Sequence, residues 1–188
     1  MCNCKKKTEG GGGGGFRANI TGRLMTPALT PAFAPAFAPA LTQASTDLDT
    51  VDTSIWGPPL WKALHVAAQF SAARNHAGNW NTIMNALKTD LPCPDCSSHY
   101  NAWIKNNVLR TTVLPNGIQS AITTWLLRLH NTVNIRNGCG AWTVDQMKAE
   151  YGGGKAGKVA EAITALETVR DIIGRSLFSA LMTLLRSL

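Results

Sequence analysis

The chain has 188 residues, five cysteines, six tryptophans and a net charge of +7, which leaves room for one ordinary domain and its tails but not for two full domains. Divided at residues 55 and 151, the charge falls as +1, +4 and +2. No segment therefore carries the concentrated basic block, interleaved with aromatics, of a dedicated nucleic-acid binder. No apolar run reaches transmembrane length. Four of the cysteines pair closely as Cys2/Cys4 and Cys93/Cys96, which points to redox or metal chemistry rather than to a secreted disulfide framework.

Residues 1–53 read as a flexible arm. Met1 leads into Cys, Asn and lysines rather than the apolar run of a signal peptide. Gly10–Gly15 is a spacer, and Thr26 to Ala40 repeats a four-residue unit with proline at every fourth position. That spacing forbids helix and favours extended, polyproline-like chain. From Gly10 to Ser45 there are arginines but no acids, a transit-peptide composition, yet the Ala-Pro repeats oppose the amphipathic helix such a peptide needs. A tether of this length has a coil dimension on the order of 40 Å, against a radius of gyration of about 13 Å for a core of roughly 100 residues. The arm can reach across its own domain.

Residues 54–151 read as an all-α core. Pro58 and Pro59 suit the first turn of a helix, and Leu60, Trp61, Leu64, His65 and Ala68 follow at helical spacing. A second helix is predicted over Trp80–Leu87. Pro92 opens a third, with Cys93, Cys96, His99, Tyr100 and Trp103 on one stripe. Pro115-Asn116-Gly117 breaks the chain, and a long fourth helix carries Ile118, Ile122, Trp125, Leu126, Leu129, His130, Val133 and Asn134. A short fifth element follows Trp142, capped by Thr143 with Gln146 three residues on. Residues 152–188 read as a glycine linker and one amphipathic helix, its apolar positions recurring from Val159 to Leu188. That helix packs on the core, binds a partner or lies on a membrane surface. Arg175 and Arg186 keep it from spanning one.

Cys93-Pro94-Asp95-Cys96 is a C-x-x-C just inside a helix start, where the helix N-terminus favours a thiolate. A thioredoxin-like site needs strands, and no period-two run supplies them. Cys93, Cys96, His99 and His130 offer the ligand types of a zinc site, so a zinc-stapled helical interaction module remains an alternative to a redox enzyme. A thiol-disulfide carrier without cofactor is a third reading. Taken singly, His65, His130, Trp61 and Trp125 are ordinary core residues on apolar faces.

Together they form a pattern: Trp56-Gly-Pro-Pro-Leu-Trp61-Lys-Ala-Leu-His65, then Leu-Pro-Cys93-Pro-Asp-Cys96-Ser-Ser-His99, then Trp125-Leu-Leu-Arg-Leu-His130-Asn131-Thr-Val-Asn134. In this order and at this spacing the core resembles the ERV/ALR family of sulfhydryl oxidases, in particular its compact viral branch. The resemblance implies a four-helix bundle with a short fifth helix, here extended by the disordered N-terminal arm and the extra C-terminal amphipathic helix. It implies FAD held non-covalently at the bundle mouth, and a homodimer. It implies FAD-dependent thiol oxidation that forms disulfides in thiol-containing protein substrates and passes electrons to molecular oxygen, giving hydrogen peroxide. Cys93 would exchange with substrate and stand exposed, and Cys96 would lie buried against the flavin. Gly57, Trp61, His65, His99, His130, Asn131, Val133, Asn134 and Trp142 match the family's cofactor-contacting positions. Stacked aromatics and imidazoles suit flat rings, and amide side chains suit ring edges.

Two features depart from the family's cellular members. Pro58 stands where many of them carry an arginine, and Cys139 is alone where many have a second structural disulfide; Cys139 is expected free or intermolecular. By the same resemblance, Cys2 and Cys4 at the end of the arm would serve as a shuttle dithiol; otherwise they are incidental terminal thiols. A viral relative would work in the infected cytoplasm or the virion, a cellular one in an oxidising compartment such as the mitochondrial intermembrane space.

Overall fold

In a computed structural model the described residues are 51–72, 76–109 and 118–188. The arm with Cys2 and Cys4, and the Pro115-Asn116-Gly117 break, lie outside them. Among the described residues there is no strand, and the helices run in the order α1 Thr53–Phe70, α2 His76–Ala86, α3 Pro94–Asn106, α4 Ile118–Arg136, α5 Val144–Tyr151, α6 Lys155–Glu167 and α7 Arg175–Ser187.

Helix α1 is the centre of the fold, meeting α4, α5, α6 and α7. Its sequence explains why. Trp56, Gly57, Leu60, Ala63, Leu64, His65, Val66, Ala67 and Ala68 are all buried, a helix apolar nearly all round, as a helix surrounded by others must be. It starts earlier than expected. The Asp52 carboxylate accepts the Ser54 N–H at 2.8 Å, a side-chain cap, so Pro58 and Pro59 fall inside the helix rather than in its first turn. Helix α2 likewise begins at His76, ahead of its first large apolar residue, Trp80. That indole is fully buried and donates to Ser71 Oγ at 2.9 Å. Helix α3 begins at Pro94, with Cys93 as its N-cap. The expected cap of α5 is complete: Gln146 N–H donates to Thr143 Oγ1 and Thr143 N–H to Gln146 Oε1, at 3.2 and 2.8 Å.

The C-terminal segment corrects the sequence reading. It is two helices, not one, and it packs on the core: α6 lies along α1, and α7 along α2. Leu166, Leu177, Leu181, Leu184 and Leu185 are enclosed, so the apolar face is already occupied within the chain. Among the described residues no helix is long and apolar enough to cross a membrane. The break was hidden because Val169 and Ile173 continue the helical spacing through the turn, both buried.

The turn is held by the loop that follows α2. Asp90 accepts the Gly174 N–H on its backbone carbonyl and the Leu177 N–H on its carboxylate, both at 2.8 Å. Asp90 thus caps α7 from a distant part of the chain, and a Cβ at position 174 would come within 2.4 Å of the Asp90 side chain. Asp90→Ala is expected to cost about 1 kcal/mol, lowering the thermal midpoint by roughly 2–4 °C. Asp90→Asn, which keeps an acceptor, should retain most of it. An unchanged midpoint for Asp90→Ala in a thermal melt would show that the cap contributes nothing.

Candidate active site

Helices α1 and α4 run side by side in opposite directions, Thr123 donating to the Ala68 carbonyl at 3.4 Å while His65 faces His130. Trp61 and His65 lie one turn apart on α1, so both reach the same stretch of α4. The Trp61 indole stacks on the His130 imidazole, with centroids 4.2 Å apart and planes 8° from parallel. His65 Nε2 and His130 Nδ1 share a hydrogen bond of 2.8 Å. On its other side His65 stacks on Tyr151, the last residue of α5, at 4.6 Å and 7°. Trp142 closes the set, 6.0 Å from Tyr151 and 5.6 Å from His130. Five flat rings from α1, α4, α5 and the loop before α5 thus form one cluster.

Burial sets the charge of this cluster. Desolvation, with the neighbouring His130, holds the His65 imidazole far below the usual histidine range, and desolvation does the same to His130. Both rings are neutral at physiological pH, so the proton between them belongs to one ring only. His65 Nδ1 is buried and has no hydrogen-bond partner among the described residues. A bare lone pair there costs less than an unpaired N–H, which favours His65 as the Nε2–H donor and His130 Nδ1 as acceptor.

The remaining expected residues surround this core unevenly. Asn134 is buried one turn beyond His130 on the same face of α4, and Val133 is half-buried beside it. Gly57 is buried one turn before Trp61, yet a Cβ built on it would meet nothing within 4 Å. Among the described residues there is open space beside this turn of α1. The Asn131 side chain is committed to the backbone of Trp142: its Nδ2 donates to the Trp142 carbonyl at 2.8 Å, and its Oδ1 accepts the Trp142 N–H at 2.7 Å.

The cysteine pair sits on a separate mount. Cys93 and Cys96 are joined in a disulfide, with Cα atoms 5.1 Å apart, and the Cys96 N–H donates to Cys93 Sγ at 3.1 Å. Several contacts fix α3: Tyr100 donates to the Met84 carbonyl at 3.0 Å, and Tyr100 and Trp103 meet Trp125 of α4 edge-on. Trp125 in turn donates to the Asn107 carbonyl at 2.6 Å. Trp125 and His130 are five residues apart, about 140° around the helix. One face of α4 therefore carries α3 and another the ring cluster. His99, half-exposed one turn after Cys96, has its pKa lowered by burial and by Arg136. Among the described residues no hydrogen bond or ring contact joins the cysteines to the five rings.

Three expectations need correction. Cys93 was expected exposed and Cys96 buried; instead Cys93 is 9% exposed and Cys96 is half-buried, because the N-cap position turns Cys93 back into the core cluster. Cys139 is disulfide-bonded rather than free. The zinc reading loses its ligands: among the described residues no group of three or more histidines, cysteines or carboxylates is placed to hold a metal, and Cys93 and Cys96 are tied to each other. Tyr151 escaped the sequence reading; its only signal was an aromatic one turn after the buried Met147 on α5.

Comparison with known proteins supplies the context. The sequence model of the Erv1 / Alr family matches residues 58–152, half of the chain. The chain is 28% identical over 99 residues to the "FAD-linked sulfhydryl oxidase ERV1" of Arabidopsis thaliana, covering 51% of this chain and 49% of that protein. It is 32% identical over 87 residues to the "FAD-linked sulfhydryl oxidase" of African swine fever virus, covering 43% of this chain and 66% of the viral one. The chain thus spans about half the length of the plant relative it matches. No solved structure matches significantly.

Proposed function

Because the chain belongs to the Erv1 / Alr family, we propose that it is an FAD-dependent thiol oxidase that forms disulfides in protein substrates through Cys93–Cys96 and passes the electrons to oxygen, giving hydrogen peroxide. The observation that carries this reading is the Cys93–Cys96 disulfide at the start of α3, a helix that packs on Trp125 of α4, while another face of α4 supplies His130 to a cluster of five flat rings. Dithiols at a helix start exchange readily because the helix end stabilises the thiolate.

The residues fit an FAD. Among the described residues Gly57 leaves open space in an otherwise buried turn and His65 Nδ1 is a buried polar atom without a partner, and the stacked rings around it suit a flat heterocycle. Trp61, His65, His130, Asn134 and Trp142 would hold it, with Gly57, Val133 and His99 at its edges. When bound, FAD supplies what a dithiol lacks, acceptance of an electron pair and its delivery to oxygen.

The chain's own chemistry is thiol-disulfide exchange. A substrate thiolate attacks Cys93 Sγ; the S–S bond breaks, a mixed disulfide forms, and Cys96 leaves as a thiolate. A second substrate thiolate displaces Cys93, so one substrate disulfide forms and the pair now holds two electrons. The Cys96 N–H that reaches Cys93 Sγ stabilises negative charge on that sulfur as it departs. The half-buried Cys96 is the sulfur left open to a ring laid against α3. Thiol-bearing proteins are the substrates of this reading, and a second copy of the chain its assembly partner.

The test is direct. Purified protein should be yellow, or turn yellow on adding FAD, and should take up one oxygen for each disulfide formed from a small dithiol. Protein that neither binds FAD nor consumes oxygen with thiol would refute the proposal.

A further inference from the structure

Asn131 lies next to His130 in the motif His130-Asn131-Thr-Val-Asn134, and motif membership alone would aim its side chain at a ligand. Its geometry says otherwise. Both ends of its carboxamide are spent on one residue, accepting the Trp142 N–H at 2.7 Å and donating to the Trp142 carbonyl at 2.8 Å. The pair of bonds resembles the pairing of two strands and fixes the backbone of position 142 in both distance and direction.

That backbone needs fixing. Trp142 sits in the short connection from α4 to α5, where the disulfide-bonded Cys139 and its N–H to the Asn134 carbonyl hold the start, but Gly140 follows before Trp142 and leaves the chain conformationally free there. The Trp142 indole is only half-buried, and its neighbours in the cluster are His130 at 5.6 Å and Tyr151 at 6.0 Å, looser contacts than the Trp61–His130 and His65–Tyr151 stacks. Side-chain packing alone holds it weakly; the carboxamide clamp holds it from behind.

We infer that Asn131 is a positioning residue acting through Trp142, the means by which α4 sets the fifth ring of the cluster, and not itself a contact to the cofactor. The inference rests on the flavin-binding reading above, but the clamp itself can be tested without cofactor. A bound flat ring would gain from a wall already in place, because ordering the loop need not then oppose binding.

A double-mutant cycle on the full chain decides the matter. FAD is titrated into cofactor-free wild type, Asn131→Ala, Trp142→Ala and the double variant. Asn131→Ala and Trp142→Ala should each weaken binding about tenfold, and the double variant should be within about twofold of Trp142→Ala. A double variant weaker by the product of the two, about a hundredfold, would mean that Asn131 touches the cofactor directly and would overturn the inference; so would full affinity in Asn131→Ala. In parallel, near-ultraviolet circular dichroism of the cofactor-free proteins should show Asn131→Ala losing the same tryptophan signal as Trp142→Ala. Should Asn131→Ala fail to fold, Asn131→Asp keeps the acceptor for the Trp142 N–H and should lose only part of that signal. An unchanged spectrum in the variant that folds defeats the clamp. Wild type that binds no FAD would sink the functional reading, while the dichroism would still decide whether Asn131 orders Trp142.

Discussion

Replacing Cys96 with serine should lower turnover with a small dithiol by roughly three orders of magnitude or more while leaving the protein yellow, an effect of the size seen when a unit of catalytic groups loses one member. Cys96 is the third residue of α3, counting from Pro94, and its contribution to the helix cap is its backbone N–H, which serine retains. The variant should therefore fold. What it lacks is the second sulfur: the Cys93–Cys96 disulfide cannot form, so no electron pair can be taken from substrate and handed on. Oxygen uptake and the visible flavin spectrum, measured on the same sample, separate loss of chemistry from loss of cofactor. A variant that keeps a tenth or more of wild-type turnover would mean that electrons leave by another sulfur.

His130→Ala should cost on the order of 3 kcal/mol of stability. The change removes a buried ring stacked on Trp61 and leaves His65 Nε2 without the partner it has at 2.8 Å, in a residue whose Nδ1 already has none among the described residues. A buried polar group so orphaned costs about 1–3 kcal/mol, to which the emptied volume adds. His130→Phe, which keeps the stack, should cost less. The same pair sets the response to acid. Both imidazoles have folded pKa values lowered by burial, whereas the unfolded chain takes up protons at the ordinary value of about 6.5. The unfolded state then binds more protons as pH falls through about 6.5, so stability declines on acidification and is fully present above that value. For two histidines held neutral the loss by about pH 5 is roughly 4 kcal/mol. Thermal melts between about pH 7.5 and 5 should show this slope, and His130→Phe should remove about half of it. A wild-type midpoint independent of pH in that window would contradict the neutral, buried pair.

What the sequence disclosed was local. The Thr143–Gln146 box lies within four residues, and its hydrogen bonds follow from the residues themselves. The Trp61/His65 stripe on α1 and the His130/Asn134 stripe on α4 follow helical spacing, and the fold brings three of those four side chains, Trp61, His65 and His130, into ring contact. What stayed hidden was set by distant chain. Tyr151 makes its tighter stack with His65 on α1, far earlier in the chain, which no local pattern signals. The break between α6 and α7 is held by Asp90, distant in sequence but adjacent in space, while Val169 and Ile173 keep the apolar rhythm going across it. Nor could spacing rank the exposure of Cys93 and Cys96, since both lie on one stripe and only the cap geometry turns Cys93 inward. Motif membership was equally mute about Asn131, whose amide could face a ligand or a backbone with the same sequence around it.

The Asp90 carboxylate and the Leu177 amide are separated by 87 residues of chain, which gives the bond between them a kinetic character. Closing so long a loop is entropically late, so the contact should form after the rate-limiting step of folding and break at an early stage of unfolding. Interactions of that kind act as a latch: they slow escape from the native state while leaving the speed of reaching it nearly untouched. In a denaturant chevron, Asp90→Ala should lift the unfolding arm and leave the refolding arm where it was.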